Sequence, residues 1–217
     1  MTAAAPTDRT RLRRAHERGH HDRATIDAIL DATPQCAVGY TIDGAPYVTP
    51  TLHWREGDHV YWHGSSASRA LRACDRAEVC LTVSILDGFV LARSGFHHSV
   101  NSRSVMLFGT AFKVTDPAEK EARLTAFIDG LFPGRTGMLR PNTEQEIKST
   151  TILGLEIAET SAKVRSGPPK DDEEDYELPI WAGVIPVAMQ AGDPIRDTRN
   201  RDGVELPAHL RGWRWPG

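Results

Sequence analysis

The densest run of chemically useful residues is His63-Gly64-Ser65-Ser66-Ala67-Ser68-Arg69. Its small residues allow close backbone approach. The hydroxyls of Ser65, Ser66 and Ser68, with the Arg69 guanidinium, would suit an anion, most naturally a phosphate monoester. The plainer reading is a serine-capped helix with a surface arginine. His63 adjoins this run and titrates near neutral pH, so it is the candidate catalytic proton donor. A second polar run, Phe96–Val105, holds His97, His98, Arg103 and Ser104 between apolar segments. It reads as a loop that either lines a pocket or is simply solvated. A third, Leu178–Pro186, sets Trp181 beside Gly183, either to present an indole to an aromatic ring or to pack in the core. His16 and His20 have helical spacing, but no carboxylate or cysteine completes a site, so no metal is expected. The chain has no G-x-S-x-G, G-x-G-x-x-G, Walker A or H-E-x-x-H pattern.

The elements that must hold these residues alternate with period two more often than with a helical period. A helix is expected over 22–32, ended by Pro34. Strands follow over 36–42, 47–54 and 59–63, with Asp43-Gly44 as a hairpin turn. Pro50 marks its strand as an edge or a bulge. The pattern predicts a helix over 66–74 capped by Ser65 or Ser66. It then predicts strands over 78–86 and 89–93 around an Asp87-Gly88 turn. A strand over 104–114, bent at Gly109, precedes helices over 117–130 and 143–149, and a further strand lies within 151–165. The acidic run 171–177 reads as a solvated loop. Hairpin-linked strands with few helices give a mainly β fold with flanking helices, an antiparallel barrel. An arm (1–21), partly helical and solvated, precedes the domain (22–190). A loose tail (191–217) follows, in which Trp213 and Trp215 are placed to dock on the domain or a partner.

With 217 residues and 23.9 kDa, the chain can bury a core without disulfides. Its net charge of -3 gives no basic field for nucleic acid. It has no apolar run long enough to span a membrane and no secretory signal, so no membrane partner is expected. Three cysteines without a C-x-x-C pair fit a reducing cytoplasm.

Several stretches together resemble the pyridoxamine 5′-phosphate oxidase-like flavoproteins, in the branch of nitroimidazole-resistance reductases. They are RGHHDRATIDAILDA, VGYTIDGAPYVTPTLHWREGDHVYWHGSSASRALRA, VCLTVSILDGFVLARSGFHHSVNSRSVMLFG, SAKVRSGPP and LPIWAGVIPV. The resemblance implies a split β-barrel and a homodimer with FMN at the interface. It places Thr49, Pro50, Thr51 and Leu52 along the flavin, and Trp62, His63, Ser68 and Arg69 at its phosphate, where the anion-site reading already set Ser65 and Ser66. Arg72 or Arg103 would assist, because Ala70 stands where the family often has a second basic residue. Ser104 and Val105 would meet the flavin edge, and Trp181 would approach from the other subunit. The implied activity is electron transfer from a reduced nicotinamide, NAD(P)H, through FMN to a small oxidised substrate. The C-terminal pattern for gripping vitamin B6 phosphate is not evident. The alternatives are a flavin carrier or sensor, a deazaflavin protein, or a haem-handling protein using His97 and His98.

Overall fold

The structure, a computed structural model, describes residues 7–215. The ends of the expected arm and tail, 1–6 and 216–217, lie outside the described residues. Ten strands form one antiparallel sheet that curves into a split barrel. They are β1 (Gly19–His20), β2 (Gln35–Ile42), β3 (Ala45–Glu56), β4 (His59–Ser65), β5 (Glu78–Leu91), β6 (Ser99–Thr110), β7 (Phe112–Lys113), β8 (Thr150–Glu156), β9 (Glu159–Arg165) and β10 (Gly183–Pro186). The strand order is β1-β9-β6-β5-β2-β3-β4-β8-β7, with β10 added to the far end of β5. Four helices flank it: α1 (Arg23–Asp31), α2 (Arg69–Cys74), α3 (Pro117–Leu131) and α4 (Glu144–Ser149). Inward residues of alternate positions, among them Val38, Leu81, Val83, Val105, Leu107, Leu153 and Leu155, make the core. Ile26, Ile29 and Leu30 of α1 close it. Asp22, Asp116 and Thr143 cap their helices through side-chain oxygens, and Pro117 opens α3.

Asp43 and Gly44 have φ of 51° and 78°, the left-handed pair a tight hairpin needs. Asp87-Gly88 is not the expected turn. Neither residue has positive φ, and β5 runs unbroken through both with a register shift against β6. Gly88 is there for closeness: a Cβ would lie 2.9 Å from the Ile185 carbonyl oxygen of β10. The bulge sits here and not at Gly109, where Val79 and Gly109 pair in register. β6 begins at Ser99, so the expected polar loop 96–105 is mostly strand. Residues 151–165 hold two strands rather than one.

The arm touches the barrel at a few points, while most of its described side chains stay exposed as expected. Arg9 pairs with Glu78 and Glu159, its guanidinium lies 5.0 Å from the centre of the Phe108 ring, and β1 adds to the sheet beside β9. The acidic run is tied in as well. The buried Asp171 carboxylate accepts from the Arg93 amide and guanidinium, each at 2.9 Å, and Arg93 covers the Tyr176 ring. In the tail, the Trp213 indole donates to the Leu131 carbonyl at 2.6 Å and its ring packs on Phe132. No described helix is long and apolar enough to cross a membrane.

Candidate functional site

β3 changes partners along its length, and that creates the site. Residues 45–52 pair with β2, whereas β4 pairs only from His53 onward. The stretch Val48–Leu52 therefore has one strand neighbour, and its backbone groups that point away from β2 have no strand partner. Pro50 sits in this edge-like stretch, where its missing N–H costs no ladder bond. Along it the side chains alternate. Thr49 and Thr51 turn inward, and the Thr49 hydroxyl lies 2.9 Å from the Tyr40 hydroxyl. Val48, Pro50 and Leu52 lie exposed on the outer face.

Beside this edge is a cavity of about 110 Å³. Thr49, Thr51, Ser65 and Ser68 line it together with Tyr40 and the start of α2. It is too small for a whole drug-sized ligand, which needs roughly 300 Å³ or more. A phosphate and the chain leading to it are the part that suits it. The loop is rigidly built. The Ser66 amide donates to Ser149 at 2.8 Å and the Ser68 amide to Ser65 at 2.9 Å. Ser68, not Ser65 or Ser66, caps α2 by accepting from the Leu71 amide, because the chain leaves β4 through a further turn before the helix starts. Ser65 accepts from the Ala67 amide at 3.2 Å. The exposed Arg69 guanidinium stands 4.9 Å from the Tyr47 ring centre, at the edge of β3.

The other expected residues divide between places. Trp62 is buried in the core and borders the cavity from below. His63 also borders the cavity, but its ring packs edge-on against Trp54 (5.9 Å) and Phe127 (5.1 Å), and burial lowers its pKa. Arg72 is occupied by the Ala67 carbonyl at 2.8 Å. Arg103 forms a two-pronged pair with Asp87 of the bulge, with contacts of 2.8 to 3.2 Å. It lines a different cavity, of about 420 Å³, with Ser84, Met189 and Trp215. Val105 is core, and Ser104 lies opposite Ser84 on the outer face. Trp181 is largely exposed, its ring lying over Gly183, where a Cβ would come within 2.9 Å of it. Sequence reasoning passed over Tyr40 and Tyr47, which fix Thr49 and Arg69. Their alternation with the core residues of β2 and β3 was the available signal.

The family model for pyridoxamine 5′-phosphate oxidase matches residues 22–164. The chain belongs to this family. Among solved structures, the flavocytochrome Anf3 of Azotobacter vinelandii is 51% identical, with a TM-score of 0.94 over 97% of this chain and 99% of that one. An FAD and haem binding protein of Mycobacterium smegmatis is 36% identical, with a TM-score of 0.87 over 91% and 98%. A candidate 5-nitroimidazole antibiotic resistance protein of Bacteroides thetaiotaomicron shares the fold at 23% identity, with a TM-score of 0.55 over 67% and 86%. No curated protein matches the chain.

Proposed function

We propose that this chain is a flavin-binding redox protein. In this reading the flavin ring lies along the Val48–Leu52 edge and its phosphate enters the cavity at Ser65–Arg69. The observation that carries it is the pairing of an unpartnered strand edge with a hydroxyl-lined cavity and a nearby guanidinium. A bound flavin supplies the ring that accepts and donates electrons, from a reduced nicotinamide to a small oxidised acceptor. The backbone of Thr49–Leu52 orients the polar edge of the ring, while the Ser65 and Ser68 hydroxyls and Arg69 hold the phosphate. Arg103 is neutralised by Asp87 and is given no phosphate role. FMN satisfies these contacts, but we favour FAD, because the Mycobacterium smegmatis relative is an FAD and haem binding protein. Haem as a second cofactor is favoured by that relative and by the flavocytochrome.

The proposal includes a homodimer. Opposite the core, Ala37, Gly39, Cys80 and Thr82 form a shallow trough of small residues. Val48, Pro50 and Leu52 flank it on one side and Met106 on the other. A second copy seated there would close over the strand edge.

Replacing Arg69 with Ala tests the phosphate assignment. Losing one charge-assisted contact of ~1.5 kcal/mol weakens FMN and FAD about tenfold. Riboflavin, which has no phosphate, is expected to change little. Equal losses for all three would remove Arg69 from the phosphate site.

A further inference from the structure

Past the Leu86/Gly88 bulge, the outer face of the sheet carries a row of exposed apolar side chains. Ile185 of β10, Phe89 of β5 and Val100 of β6 lie directly opposite one another across three strands. They are 51%, 48% and 41% exposed. Gly183 pairs with Leu91 in the next outward row, and the Trp181 ring, 68% exposed, lies over that glycine. His98 is the residue just before β6, and the strand alternation carried back from Val100 assigns it to this face. The bulge keeps this face outward. Before it, Val79, Leu81 and Val83 are the buried residues of β5; after it, Gly88 and Val90 are. At ordinary strand spacing the two rows cover about 10 Å by 7 Å, near the footprint of a porphyrin ring.

The hydrogen bond that His98 makes fixes its tautomer. His98 Nδ1 lies 2.8 Å from the Ser94 carbonyl oxygen. A carbonyl only accepts, so Nδ1 carries the proton and Nε2 of the neutral ring keeps its lone pair. Holding the other ring nitrogen in this way is what fixes the tautomer of metal-binding histidines. Four other imidazoles fit less well. His97 Nε2 faces the Asp172 carboxylate at 3.3 Å. His53 is 1% exposed, and the His63 ring is packed against Trp54 and Phe127. His21 Nδ1 also meets a carbonyl, that of Thr160, but its β1 neighbours carry no row of exposed apolar side chains.

We propose that His98 Nε2 is this chain's ligand to haem iron, with Trp181, Ile185, Phe89 and Val100 as the platform for the macrocycle. This rests on the reading of haem as a second cofactor. The full-length protein is titrated with haemin and followed by its Soret band, beside His98→Ala, His97→Ala and Val100→Asp. The wild type and His97→Ala are expected to give the same shifted Soret band. His98→Ala loses it or binds at least tenfold more weakly, and His98→Gly regains it with added imidazole. Val100→Asp weakens haemin binding without changing the mass of the assembly. A wild type that gives no Soret shift would sink the haem reading itself. A wild type that binds, with His98→Ala unchanged, would overturn only the ligand assignment. A Val100→Asp protein that becomes monomeric yet binds haemin normally would give this face to a second copy and overturn the platform.

Discussion

At the residue scale, chemistry in this chain is decided by which face of a strand a side chain takes. Thr49 and Thr51 reach the cavity, whereas Pro50 and Leu52 do not, although all four were expected along one ligand. Residue type pointed to the Ser65–Arg69 run, of which Ser65 and Ser68 line the cavity and Ser66 and Arg69 do not. It did not show that Arg103 is engaged by Asp87, because that contact depends on the bulge. Nor did it show that the His63 ring packs under α3. The most buried histidine is His53, whose Nε2 meets the Leu30 carbonyl at 3.0 Å and whose pKa burial lowers. As pH falls below about 6.5 the unfolded chain takes up a proton that folded His53 resists, so stability falls on acidification. Urea midpoints from pH 7.5 to 5.5 should decline less steeply for His53→Gln than for the wild type. Parallel slopes would show that His53 titrates alike folded and unfolded.

At the element scale, the strands that alternate cleanly and end in true turn residues were legible. β2, the Asp43-Gly44 hairpin, α1 and α3 stand close to where periodicity and caps put them. The same Asp-Gly pair misled at 87–88, because the glycine answers to a neighbouring strand that lies almost a hundred residues later. No local pattern contains that information. Gly154 of β8 is a similar case: a Cβ there would lie 2.4 Å from the Phe112 ring. Gly154→Ala is expected to cost ~1–3 kcal/mol of stability by displacing that ring. Phe112→Ala in the same chain should recover part of the loss. A double variant no more stable than Gly154→Ala would mean the clash is with something other than the ring.

At the scale of the whole molecule, the segment beyond the barrel is a strap and not a free tail. Trp213 fastens it to the end of α3, and Trp215 and Met189 wall the 420 Å³ cavity above the Asp87–Arg103 pair. The aromatic residues hinted at docking, but their destination lies in the tertiary arrangement of α3. Trp213→Ala should free the strap, seen as faster limited proteolysis between 190 and 215 with the barrel fragment left intact. Unchanged cleavage would mean that other contacts hold it. The dimer proposal belongs to this scale too: Val48→Glu, on the exposed flank of the trough, should shift the sedimenting species toward monomer and lower flavin occupancy with it. A dimer that persists unaltered would move the interface elsewhere. The central claim, a flavin held between the β3 edge and the Ser65–Arg69 loop, is tested most directly by the visible spectrum of the purified protein and chromatography of what heat releases from it. A flavin spectrum and released FAD are expected. A colourless protein that takes up neither added FAD nor added FMN would contradict it.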